Sequence, residues 1–170
     1  DFSPVTLSTS GLDAAQQKAL KDYLGITDAN VFNKTVTTTY AYDNKGDATT
    51  PTAVTSYDYD YKNAILNRDE TAYFGFTDKG LVIARALKGA DLPYRQETYE
   101  KITTGDVTPI VSYRLIEGKD FSPVIWSDLP AGAQAAGKAA IGGDSIPSTV
   151  TKVTTLDVKT GNVSVYYDVE

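Results

Sequence analysis

Asp1-Phe2-Ser3-Pro4-Val5 opens the chain, and Asp120-Phe121-Ser122-Pro123-Val124 repeats it word for word. Proline holds the residue before it in extended geometry, so each copy reads as an extended segment. The segments after the two copies also correspond in kind. After the first come an amphipathic helical stretch, a Thr-rich strand at Val36-Thr37-Thr38 and a Tyr/Asp strand at Tyr57-Asp58-Tyr59. After the second come an Ala-rich helical stretch, Val153-Thr154-Thr155 and Val165-Tyr166-Tyr167-Asp168. The expectation is an α+β fold, two helices packed on antiparallel sheet, built as a pseudo-repeat of extended segment, helix and β-hairpin. Residues 1–119 form the first unit, with a repeat core over 1–62 and additional hairpins over 63–119. Residues 120–170 form a second, shorter unit. Either the first copy carries an insertion, or the chain is cut from a longer array.

Local signals fill in the elements. Leu12, Ala15, Ala19, Leu20, Tyr23 and Leu24 recur at three-and-four spacing, which predicts a helix over 11–24. Ser10 is the expected N-cap, Asp13 favours the positive end of the dipole, and Gly25 is the stop. A second helix is expected over 129–141, capped by Ser127 or Asp128, with Pro130 in its first turn and Gly142-Gly143 at its end. Strands are expected over 34–43 and 53–66, and in hairpins pairing 72–76 with 81–87, 97–103 with 108–116, and 151–158 with 163–169. Thr77-Asp78-Lys79-Gly80 and Lys159-Thr160-Gly161-Asn162 supply the turn chemistry. An extended segment, a helix and a string of antiparallel strands is similar to cystatin-like and nuclear-transport-factor-like architectures. The alternative fold is therefore one cystatin-like helix on a curved sheet plus a C-terminal half-repeat.

Composition narrows the chemistry. The chain has no Cys, His or Met and carries a formal net charge of −6. Disulfides, thiol nucleophiles, histidine bases and the usual transition-metal ligands are thereby absent. The Lys and Arg residues are scattered, so no phosphate-binding surface is expected and no nucleic acid partner. No apolar run reaches the length of a membrane-spanning helix. Thr occurs 22 times and Tyr 12 times, a composition of pleated, half-solvated surfaces. With Asp1 in place of an initiator Met, the chain reads as an extracellular or cell-surface protein, processed or excised from a longer precursor.

Candidate sites come from the strands. Tyr57, Tyr59 and Tyr61 alternate with Asp58 and Asp60, so the rings share one sheet face. Tyr40 and Tyr42 are expected on one face of an adjacent strand. With Trp126, these rings are the candidate ligand-binding residues, able to stack on sugars or anchor a protein. The competing reading packs them under a helix, with Trp126 as a core anchor. Phe2 and Val5, and Phe121 and Val124, are candidate edge-strand contacts for assembly, with Phe and Val taken to lie on one side. Asp58 and Asp60 have a glycosidase-like spacing but read as solvated carboxylates. Asp43-Asn44-Lys45-Gly46-Asp47 lacks the spacing of a calcium loop and reads as a turn. Gly142-Gly143 with Ser145 lacks the Walker spacing. Asn33 and Asn162 open glycosylation sequons. No cofactor and no metal is expected.

The functional expectation is a non-catalytic surface or secreted module that binds a host or cell-wall glycan or a protein. One alternative is a subunit of a self-assembling surface layer, filament or virion, with copies of itself as partners. Another is an inhibitor-like, cystatin-shaped module.

Overall fold

The computed structural model describes residues 2–143 and 146–170. Asp1 of the first pentapeptide, and Ser145, two places after Gly143, lie outside the described residues. The chain forms one antiparallel meander. Its strands are β1 (Phe2–Val5), β2 (Phe32–Thr39), β3 (Thr52–Asn63), β4 (Arg68–Phe76), β5 (Gly80–Leu87), β6 (Arg95–Thr104), β7 (Ile110–Pro123), β8 (Val150–Asp157) and β9 (Val163–Val169). Each strand pairs with the next in sequence, so the sheet order is the chain order. Helix α1 (Ala14–Leu24) joins β1 to β2, and α2 (Ala131–Ile141) joins β7 to β8 after a 3-10 turn at Trp126–Asp128. The fold is α+β, with two helices on an open nine-stranded antiparallel sheet among the described residues. β7 runs unbroken through positions 119 and 120, so one sheet spans both expected units.

The helix boundaries differ from the expectation for a local reason. Asp13, not Ser10, caps α1. Its carboxylate accepts from Gln16 N at 2.8 Å, and the Gln16 side chain accepts from Asp13 N at 3.0 Å, a complete capping box. Ser10 is instead buried, donating to Leu7 O at 2.7 Å and accepting from Leu12 N. Gly25 ends α1 in the left-handed region, as its sequence position implied. α2 starts at Ala131, after Pro130, with no side-chain cap, because Ser127 and Asp128 are taken up in the 3-10 turn.

The core lies on one face of the sheet. Phe32, Tyr57, Phe74, Leu81, Ile83, Tyr99 and Tyr113 point to that face, and Leu20 and Leu24 of α1 pack on them with Leu7 and Ile26. Burying each such Leu, Ile or Phe stabilises the fold by about 1.5–3 kcal/mol. Tyr23 packs at a tilt against Tyr99, with ring centroids 4.3 Å apart and planes at 33°, and donates its hydroxyl to Tyr113 O at 2.6 Å. Helix α2 packs more thinly. A Cβ on its buried Gly137 would lie 2.9 Å from the Trp126 ring and 3.8 Å from Val169, so the ring occupies the space a side chain would need. Among the described residues, the opposite face of the sheet carries no helix.

Rungs at the two ends of the sheet correspond. Ser3 pairs with Lys34 and Lys34 with Tyr57; Ser122 pairs with Lys152 and Lys152 with Tyr167. Pro4, Asn33 and Asp58 form the next row, as do Pro123, Thr151 and Asp168. Phe2 pairs with Thr35 and Phe121 with Val153, so Val36 and Val153 do not occupy like places in the two ladders. Aligning the two Val-Thr-Thr strings slips the strand by one residue, which would exchange its faces.

Candidate functional site

The Tyr57–Tyr61 row lies on the helix-covered face. Tyr57 is buried and stacks on Phe74, with centroids 5.1 Å apart and planes at 11°. Tyr59 and Tyr61 stack on each other at 5.8 Å and pack against the same core. The period of two holds, and the face it selects is the one α1 needs. Tyr40 and Tyr42 are exposed but come after the end of β2 at Thr39, so they share no strand face with that row; Tyr42 makes only an isolated bridge to Ala48. Trp126 is half-buried against Gly137 of α2.

Phe2 and Val5 do not share a side. They are three residues apart on a strand, so alternation sends them to opposite faces. Val5 is buried in the core, whereas Phe2 is 67% exposed on the open face. Phe121 and Val124 are both half-buried, and Phe121 faces the open side.

Asp58 accepts from Asn33 Nδ2 at 2.8 Å. Asp60 accepts from the Thr71 hydroxyl at 2.6 Å and pairs with Lys88 at 3.1 Å, and the Thr71 bond holds its carboxyl below the usual range. The Asp43 carboxylate accepts from Lys45 N and Asp47 N, closing its own turn. Among the described residues, no group of three Asp or Glu side chains is arranged to hold a metal.

Beside the C-terminal end of α1 the core becomes polar. Glu70 is 0% exposed and accepts from Tyr94 Oη at 2.8 Å, Asn63 Nδ2 at 2.8 Å, Tyr61 Oη at 3.3 Å and Arg68 Nε at 3.4 Å. Burial pushes this carboxyl up, but the donors from Asn63 and Tyr94 and the charge of Arg68 outweigh it and hold it below the usual range. Arg85 bonds Glu97, the Tyr61 hydroxyl and Tyr23 O of α1. Arg95 joins Glu97 at 3.1 Å to Asp120 at 2.8 Å, and Gly118 leaves the space its guanidinium occupies. Every charge here has partners, so this is a structural network.

A concave feature lies elsewhere, away from the candidate row of rings. A cleft of about 540 Å³ opens between the loop after β5 and the open face of β7, β8 and β9. Phe121, Pro123, Thr151, Val153 and Tyr166 come from the strands, Leu92, Pro93 and Tyr94 from the loop. Val153 is 2% exposed at its floor, whereas Leu92 and Tyr166 stand out at its rim, 71% and 49% exposed. Asp91, Asp168 and Glu170 add three exposed carboxylates.

The wall is held in place. Tyr94 N donates to Arg85 O at 2.9 Å, Tyr94 O accepts from Phe121 N at 2.8 Å, and its hydroxyl ends on Glu70. Arg68 lies 4.7 Å from the centre of its ring. Burial, then the bond to Glu70, pushes the Tyr94 phenol up to about 12, so it remains a neutral donor. The sequence holds one signal for this region: Phe121 belongs to the repeated pentapeptide, and Tyr166 and Asp168 to its matching Tyr/Asp strand.

The chain matches no protein-family model, no curated protein and no solved structure.

Proposed function

We propose that this chain is a non-catalytic binding module of an extracellular or cell-surface protein, which takes a host or cell-wall ligand into the cleft between the β5–β6 loop and strands β7–β9. The observation that carries the reading is the cleft itself: about 540 Å³, floored by apolar and aromatic side chains, with a wall anchored before any ligand arrives. Its carboxylates are exposed, without the burial that tunes a general acid. Binding without bond-breaking is the chemistry such a lining supports. The test is a glycan and peptide array probed with the whole chain and with Thr151→Trp, which fills the cleft. Binding by the parent chain that disappears in the variant, at unchanged melting temperature, is expected. A blank array, binding that survives Thr151→Trp, or turnover of a bound glycan overturns the reading.

We infer further that the sheet grew by duplication of a strand–helix–strand–strand unit. Support comes from the matching rungs and from the helices. Ser10, Leu12, Ala14, Gln17, Ala19, Lys21 and Gly25 recur at one constant offset as Ser127, Leu129, Ala131, Gln134, Ala136, Lys138 and Gly142. Gln17 Nε2 donates to Leu12 O at 2.8 Å, and Gln134 Nε2 to Leu129 O at the same distance. At that offset Leu20, buried in the core, corresponds to Gly137, and Trp126 supplies the bulk the glycine lacks.

The assembly reading rests on a separate observation. Among the described residues, β9 has a neighbouring strand on one side only, no proline, and exposed Val163, Val165 and Tyr166. β1, at the other edge, is four residues long and contains Pro4, which blunts it. Concentration-dependent oligomers by light scattering support assembly through β9, and a monomer at every concentration removes it.

A further inference from the structure

We propose that the occupant of the cleft is a basic peptide segment whose lysine or arginine side chains are flanked by apolar ones. The inference rests on the cleft being the binding site and adds the chemistry of what fills it. Among the described residues, the lining contains Asp91, Asp168 and Glu170 and no Lys or Arg. Among the same residues, none of these three carboxylates is paired with a basic side chain, whereas Asp60, Glu70, Glu97, Glu100 and Asp120 all are. A chain of net charge −6 that leaves three carboxylates uncompensated around one concavity disfavours anionic ligands there and favours cations.

The rest of the lining favours a cation on an apolar stem over a bare ion. Phe121 and Val153 form a floor on which the methylenes of Lys or Arg lie while the head reaches the acidic rim. Tyr166, half-exposed, offers a ring face to a guanidinium or ammonium. Leu92, almost free in solvent at the opposite rim, gives a flanking apolar residue something to cover. A neutral glycan uses the rings but leaves the carboxylates' charge unanswered, and a phosphorylated or sulfated one is repelled.

The experiment is calorimetric titration of the whole chain with three capped pentapeptides, Leu-Lys-Phe-Arg-Leu, Leu-Gln-Phe-Gln-Leu and Leu-Glu-Phe-Glu-Leu, and with cellotetraose. Backbone amide shifts locate each binder. At low ionic strength the basic peptide is expected to bind about tenfold more tightly than the glutamine peptide, with the glutamate peptide weakest. The preference is expected to shrink as salt screens it. The triple variant Asp91→Asn, Asp168→Asn, Glu170→Gln, at unchanged melting temperature, is expected to bind the basic and glutamine peptides alike. Equal binding of those two by the parent chain, or a preference that survives the triple variant, overturns the charge assignment while shifts in the cleft leave the binding site standing. Cellotetraose shifting cleft residues with every peptide silent overturns the peptide assignment alone. Silence from all four probes, or shifts only outside the cleft, overturns both.

Discussion

Tyr94 donates its hydroxyl to both carboxylate oxygens of Glu70, each at 2.8 Å, and so ties the wall of the cleft to the one fully buried charge among the described residues. The same residue accepts a backbone bond from Phe121 at the cleft floor and donates one to Arg85. The core network and the cleft are thus joined through Tyr94.

Removing that hydroxyl is expected to cost on both counts. Tyr94→Phe leaves a buried carboxylate one donor short, a loss of about 1–3 kcal/mol. Glu70→Gln turns an acceptor toward Asn63, Tyr94 and Arg68 into a partial donor and is expected to cost about 2–3 kcal/mol. Urea denaturation checks both. Unchanged midpoints in the two variants would show that the network contributes nothing.

The Tyr94 phenol gives a signature at alkaline pH. Its proton is held more tightly in the folded chain, up to about 12, than at the ordinary value of 10.0. A pKa raised on folding contributes stability that is fully present below 10 and is lost as pH climbs toward 12. Denaturation midpoints should fall across that window, and less steeply in Tyr94→Phe. A tyrosine ring resonance assigned to Tyr94 that titrates near the ordinary value would contradict the geometry.

Glu70 acts in the opposite direction. Its carboxyl is held below the ordinary 4.5, so its contribution is present above that value and is lost as pH falls through the depressed one. Midpoints in the parent chain should drop on acidification below 4.5, and Glu70→Gln should flatten that drop. Parallel acid profiles for the two chains would refute it.

Gly137→Ala tests the packing of α2. The added Cβ meets the Trp126 ring at 2.9 Å, and overpacking outweighs the gain in helix propensity, for a net loss of about 1–2 kcal/mol. Trp126 is the only tryptophan, so its emission should shift to the red as the ring is displaced. An unchanged spectrum with a stabilised fold would mean the ring yields freely.

Assembly through β9 has its own check. Val165→Lys places a charge on an edge strand and is expected to lower any self-association seen by light scattering. Equal association in both chains would put the contact elsewhere.

Much of the architecture was legible because local chemistry and fold agree. Gly25 stops α1, Thr77–Gly80 turns β4 into β5, and the Tyr57–Tyr61 alternation gives β3 its two faces. What the sequence could not say is which face the helix would choose. Alternation separates Tyr57 from Asp58 but does not assign either to the core, and the candidate aromatic surface falls on the buried side. The cap moves from Ser10 to Asp13 because both residues can accept a backbone bond, and only Asp13 has Gln16 three places on to return it. The cleft stays hidden for a different reason. Its lining joins the loop at 90–94 to strand residues beyond 120, a meeting set by tertiary packing and by no local periodicity.

Backbone amide shift mapping of the whole chain with a ligand that binds it tests the central claim most directly. The account expects the largest changes at Leu92, Tyr94, Phe121, Thr151 and Tyr166, with α1, Tyr40 and Tyr42 unmoved. Changes centred on Tyr40 and Tyr42, or along the free edge of β9, with the cleft silent, would contradict it.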